Sequence, residues 1–182
     1  MAQKATIFKA DLAVADMDRN HFATHAVTLA RHPSETDERM MVRLLAFALN
    51  ADDALAFGRG LSSEDEADLM LRDLTGAMRL WIDVGLPDEK SLRKASGRAE
   101  RVIVYAYGGR AVELWWTKNR DSLVRLPNFS AFAVPPDASQ ALARLAQRTM
   151  QLQCTVQDGH VWFSNATDTV AVTLVALPHL PR

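Results

Sequence analysis

The run Met78-Arg79-Leu80-Trp81-Ile82-Asp83-Val84-Gly85-Leu86-Pro87-Asp88 decides the fold. Met78, Leu80, Ile82 and Val84 alternate with Arg79, Trp81 and Asp83, which is the period of a strand. Pro87 and Asp88 then open a helix to about Ala99. Val102 to Tyr107 is an apolar run of the kind buried on both faces of a parallel sheet. Strand, helix and strand in this order form a βαβ unit. The pattern repeats downstream, with a helix from about Arg110 to Leu123 and a strand from Phe129 to Val134. A last helix, from Ala138 to Arg148, follows Pro135-Pro136-Asp137.

Upstream, Thr6 to Val14 alternates, with Thr6, Phe8, Ala10, Leu12 and Val14 on one side. Phe22 to Arg31 reads as its hairpin partner across a turn at 16–20. His32-Pro33-Ser34 stops that strand. Ser34 is placed to cap a helix over 35–50, with acids in its first turn and Asp37 at the capping-box position. Met41, Leu44, Leu45, Ala48 and Leu49 form its apolar face. Short strands are expected at Ala54–Phe57 and Asp68–Arg72. At the far end, Gln151–Gln157 and His160–Ser164 flank Asp158-Gly159, a two-residue hairpin signal. Val170 to Ala176 reads as one closing strand. The whole is an α/β chain: a mixed central sheet with helices, extended by strands over 4–31 and 150–176, in a single domain over 1–182.

Composition bounds the function. Hydrophobic residues make up 48% and charged residues 24% of the 182, values of a globular chain rather than a disordered one. Lys and Arg number 21 against 22 Asp and Glu, so overall charge does not drive binding to a polyanion. The single cysteine, Cys154, lies in an apolar run and reads as a small buried side chain. No signal-peptide stretch and no membrane-length apolar run is present, so no membrane partner is expected and the expected compartment is the cytoplasm.

Local charge is uneven. Ala51 to Asp73 carries seven acids against two bases, and Asp88 to Arg125 nine bases against five acids. Lys90, Lys94 and Arg98, four residues apart, form one ridge of the helix after Asp83. That ridge is either a solvated face or a set of phosphate contacts. Three acids stand out. Glu38 shares the core-facing stripe of its helix, where a carboxylate needs a partner: an arginine (Arg39, Arg43 or Arg72), a metal, or a catalytic role. Asp83 ends an apolar strand, at the sheet edge where α/β proteins bind ligands; otherwise it caps the next helix. Asp68 opens the preceding strand within an acidic run and alone is a weaker candidate, which solvation would explain. Carboxylates that hold Mg²⁺, beside a lysine that steadies water or phosphorane charge, are what phosphodiester hydrolysis needs. Trp115-Trp116 reads as packing. Of the histidines, only His21 and His25 are spaced to share a face, and they read as two exposed side chains rather than a zinc site.

The run Leu29-Ala30-Arg31-His32-Pro33-Ser34-Glu35-Thr36-Asp37-Glu38-Arg39-Met40-Met41 resembles the bacterial YaeQ family. So do Trp81-Ile82-Asp83-Val84-Gly85-Leu86-Pro87-Asp88-Glu89 and Arg148-Thr149-Met150, and the likeness spans essentially the whole chain. The resemblance implies a variation on the PD-(D/E)XK nuclease fold, with a core of helix, three strands, helix and strand over about 35–134. It places the motif acids at Glu38, Asp68 and Asp83, as Mg²⁺ ligands and catalytic residues. Ala67 stands where the motif proline would be, and Gly85 where its lysine would be. A lysine displaced onto the following helix is then Lys94, with Lys90 second. The implied activity is a Mg²⁺-dependent nuclease-like phosphodiesterase that meets nucleic acid through Lys90, Lys94 and Arg98. The alternative is a non-catalytic relative that binds nucleic acid or protein. Family members have also been associated with an RfaH-like role in transcription elongation, although the helix and βαβ layout does not resemble RfaH.

Overall fold

The computed structural model describes residues 4–59 and 65–179 and shows a mixed α/β protein with two mixed sheets and four α-helices. Over these residues the chain divides into two compact units, Met1–Asp53 with Asp137–Thr173 and Ala54–Pro136 with Leu174–Arg182.

The first unit holds the terminal strands. These form a sheet of their own: β1 (Thr6–Asp16), β2 (His21–Arg31), β8 (Thr149–Gln157), β9 (His160–Ser164) and β10 (Thr169–Val172), in the order β10-β9-β8-β1-β2. β1 and β2 make the expected hairpin in unbroken register from Thr6↔Arg31 to Asp16↔His21, and β8 joins β1 in parallel. Alternation sets the faces: Phe8, Ala10, Leu12 and Val14 are buried, while Ile7, Lys9 and Asp11 are exposed. Asp158 takes positive φ in the β8–β9 turn, as the Asp-Gly signal requires.

α1 (Asp37–Leu49) belongs to this first unit rather than to that of the central strands. Met40 to Ala48 are buried without a break, so α1 is a core helix and not a one-sided amphipathic one. It starts two residues later than its sequence suggests. Thr36, not Ser34, is the N-cap, its Oγ1 accepting from the Arg39 N–H at 3.1 Å. Ser34 bonds the His32 ring instead, at 2.7 Å through its hydroxyl. The reason lies in Glu35, whose carboxylate turns inward to Arg39 and Arg43 and is not available to a first helical turn.

The second unit is built on β3 (Leu55–Phe57), β4 (Leu69–Arg72), β5 (Met78–Val84), β6 (Arg101–Ala106), β7 (Phe129–Ala133) and β11 (Val175–Ala176), in the order β11-β7-β6-β5-β4-β3. β3, β4 and β5 are an antiparallel meander, and β5, β6 and β7 run parallel, joined by α2 (Glu89–Arg98) and α3 (Arg110–Leu123). Leu92 and Ala95 of α2 and Val112, Trp116 and Leu123 of α3 pack with Trp81, Val102, Val104 and Ala131 into one apolar cluster. Trp116 is therefore core, and Trp115 packs beside it, its indole N–H donating to the Pro87 carbonyl at 2.8 Å. β3 lies close against the chain that enters β4. Gly58 donates its N–H to the Asp68 carbonyl at 2.8 Å, and a Cβ there would stand 2.2 Å from the Ala67 carbonyl oxygen.

Two further expectations are corrected. The closing strand 170–176 is two strands, because β10 pairs with β9 while β11 pairs with β7 in the other sheet. The last helix, α4 (Pro136–Ala143), ends well short of Arg148. Arg148 instead donates its Nε–H to the Ile7 carbonyl at 3.0 Å, beside the start of β8.

Candidate carboxylate site

Antiparallel pairing sets Leu69 opposite Ile82 and thereby brings Asp68, just before β4, alongside Asp83 near the end of β5. The two acids are tied by the backbone. Val84 donates its N–H to Asp68 Oδ2 at 2.8 Å, and Asp68 donates its own N–H to Asp83 Oδ1 at 3.4 Å. Asp83 Oδ2 also accepts the Trp81 indole N–H at 3.0 Å. Both acids are buried, at 3% and 4% exposure. The sequence pointed to both of them but missed Trp81. The available signal was its position two residues before Asp83, on the same face of the strand.

Gly85 follows at once, with φ +104° and its N–H donating to the Tyr105 carbonyl at 2.9 Å. That conformation is closed to ordinary L side chains, so the position where the resemblance would put a lysine is not one a lysine occupies without strain. Open space surrounds a Cβ at Gly85, so the constraint is the backbone angle and not crowding.

Lys90, Lys94 and Arg98 are all exposed on α2, as the ridge reading expects. Arg98 stands 3.6 Å from Asp65 of the acidic run. Glu38 lies on α1 in the other unit, half-buried, and its Oε1 accepts the Ser139 hydroxyl at 2.8 Å. Arg39 and Arg43 both bond Glu35, and Arg72 donates to the Gly76 carbonyl at 2.9 Å. Thus the acid for which sequence foresaw an arginine clamp is Glu35 rather than Glu38. Among the described residues, no group of three or more His, Cys, Asp or Glu side chains is placed to hold a metal ion. The site as described is a carboxylate pair. Separately, an apolar cleft of about 550 Å³ lies where α3 begins and β7 ends, lined by Val112, Leu114, Val134 and Val175 among others.

The fold has counterparts in known proteins. A family model described as YaeQ protein matches residues 1–174. The chain belongs to the YaeQ family. It is 47% identical to the uncharacterized YaeQ protein of Salmonella typhi and 45% identical to that of Escherichia coli K12, over 97% of both chains in each case. The crystal structure of YaeQ from Xanthomonas axonopodis pv. citri superposes with a TM-score of 0.91 at 49% identity, covering 94% of this chain and 97% of that one. YaeQ from Pseudomonas syringae gives 0.90 at 38% identity, covering 95% and 96%. The two-sheet architecture is thus that of the YaeQ crystal structures. No helix among the described residues is long and apolar enough to cross a membrane.

Proposed function

We propose that this YaeQ protein is a Mg²⁺-dependent phosphodiesterase of the PD-(D/E)XK nuclease type, acting on nucleic acid at Asp68 and Asp83. The observation that carries the reading is the buried pair itself: two carboxylates, one just before β4 and one near the end of β5, held side by side by backbone N–H groups. The chain order supports it. Helix α1 is followed by the meander β3-β4-β5, helix α2 and the parallel strand β6, the order of the nuclease core.

The donor set suits Mg²⁺, which takes oxygen ligands, uses one or two protein carboxylates and retains water. When bound, the ion neutralises phosphoryl charge and lowers the pKa of a bound water. Asp68 and Asp83 would be its ligands, and Glu38 is the further acid carried by the family resemblance. Trp81 and Val84 fix the carboxylate orientations, the support that metal ligands need. The Lys94 ammonium would steady the attacking water or the charge developing on phosphorus. Lys90 and Arg98, one turn either side on the same ridge, would meet neighbouring phosphates.

One observation favours a second reading, a non-catalytic relative that binds nucleic acid or a protein partner. Each aspartate already accepts a hydrogen bond from a buried donor, and the described residues bring no third acid to the pair. The experiment that separates the two is cleavage of end-labelled single- and double-stranded DNA and RNA with Mg²⁺ or Mn²⁺. Metal-dependent product that disappears in Asp83→Asn and in Lys94→Ala supports the enzyme. Retention of labelled polymer without cleavage supports the binding module.

A further inference from the structure

The sequence reading leaves His21 and His25 as two exposed side chains, and the structure overturns this. Their Nε2 atoms lie 2.9 Å apart and the rings are nearly parallel, with centroids at 5.2 Å and an interplanar angle of 13°. His25 is buried, and its ring meets the edge of Phe47 of α1 at 5.5 Å. Residues 21, 23 and 25 share one face of β2, and Ala23 between the histidines is small enough for both rings to lean together.

Two imidazole nitrogens do not approach this closely by default. A pair of protonated rings would repel, and two bare lone pairs facing each other would repel as well. The contact requires either one N–H between the nitrogens or a cation bound to both. Metal–nitrogen bonds of about 2.0–2.1 Å put two ligands of one ion roughly 2.9–3.4 Å apart, for angles from square to tetrahedral. The observed separation lies at the square end. The surroundings also favour a cation. Asp16, the cross-strand neighbour of His21, is already paired with Arg19 at 3.6 Å, but Asp52 and Asp53 act electrostatically on His25. Against these carboxylates, burial and the adjoining His21 hold the His25 pKa below its ordinary 6.5, which keeps the imidazole in its ligating neutral form.

We propose that His21 and His25 form a two-imidazole chelate for a first-row transition-metal dication, with Cu²⁺ preferred, then Ni²⁺ or Zn²⁺. Imidazole suits these metals, and affinity peaks at Cu²⁺ along the series. Both rings coordinate through Nε2 in their Nδ1–H tautomers, so the proton between them in the metal-free protein moves to Nδ1. Among the described residues no third His, Cys, Asp or Glu completes the set, so water fills the remaining positions. This site does not depend on the phosphodiesterase reading, since it uses no residue of the Asp68–Asp83 pair.

The test is a titration of the full chain, free of any added histidine tag, with Cu²⁺, Ni²⁺ and Zn²⁺, followed by calorimetry and thermal shift. Histidine NMR of the Zn²⁺-loaded protein reports which ring nitrogens are ligated. One-to-one saturable binding is expected, with an apparent affinity at least about tenfold weaker in both His21→Gln and His25→Gln, and weaker again at pH 5.5, where protons compete. Asp83→Asn is expected to keep it in full, and Mg²⁺ to leave it untouched. Binding that survives in both glutamine variants overturns the proposal, as does the absence of saturation below millimolar metal. His21 is only half-buried, so His21→Gln keeps the test open if His25→Gln fails to fold.

Discussion

Glu35 grips Arg43 with both carboxylate oxygens, Oε1 to Nη2 at 2.5 Å and Oε2 to Nε at 3.1 Å, and the two side chains are 0% and 1% exposed. Arg43 also donates to the Ala30 carbonyl of β2 at 3.0 Å, and Arg39 adds a second guanidinium to Glu35 at 2.6 Å. The pair fastens the segment before α1 to the helix and to the hairpin. Removing Glu35 takes away the carboxylate that balances the buried Arg43 guanidinium. Glu35→Ala should therefore cost about 3–5 kcal/mol in urea unfolding, whereas the double variant Glu35→Leu/Arg43→Met should lose less than the single one. Equal losses would show that packing, not charge, dominates there.

Leu45 of α1 and Ile82 of β5 are both fully buried, at 0% exposure. Truncating either to Ala should cost roughly 2–5 kcal/mol, read from the denaturant midpoint at unchanged slope. A midpoint matching the parent's would mean that the site collapses around the missing atoms.

Gly85 separates backbone strain from lost chemistry. Gly85→Lys places a lysine at the usual motif position but forces it to φ near +104°. The variant should be destabilised by about 1–3 kcal/mol. It should not raise metal-dependent cleavage above the parent's. A gain in cleavage would show that the backbone can flip and that the displaced lysine is not required.

Cation binding at the carboxylate pair has its own signature. Millimolar Mg²⁺ or Mn²⁺ should raise the melting temperature of the parent, because an ion held by native Asp68 and Asp83 stabilises the folded state by mass action. Asp83→Asn should abolish that rise, and Lys94→Ala should keep it, since an ammonium is not a ligand. A parent without any shift would remove the metal from the proposed chemistry.

Stability should also follow the titration of His25. Its folded pKa lies below the ordinary 6.5, chiefly through burial and then through the neighbouring charge of His21, partly opposed by Asp53 and Asp52. The unfolded chain takes up the proton first, so this contribution is fully present above about pH 6.5 and is lost as the pH falls from there toward the depressed folded value. With a chelator present, the parent should therefore lose stability between pH 6.5 and 5 more steeply than His25→Gln. Parallel slopes would place the titration elsewhere.

Much of this molecule is legible along the chain. Hydrophobic period is a local property, so β1, β2, β5, β6, α2 and α3 lie within a residue or two of where the alternation of Thr6–Val14 or the apolar run of Val102–Tyr107 puts them. Asp83 could be singled out because an acid at the edge of an apolar strand is conspicuous in one dimension, whereas Asp68, within an acidic run, stood out only through the family resemblance. Pairing is not a local property. Residues 170–176 read as one strand, and only the competing edges of β9 and β7 divide them between two sheets. Sequence foresaw that a buried acid near the start of α1 would need a partner, an arginine among the candidates. Which acid it was depended on where Arg43 points once α1 meets the hairpin, and the answer is Glu35. The same holds for His21 and His25: spacing puts them on one face of β2, but Phe47 of α1 buries one ring and the small Ala23 lets the two nitrogens meet. Periodicity tells each residue which face it occupies; only the packed chain decides what that face touches.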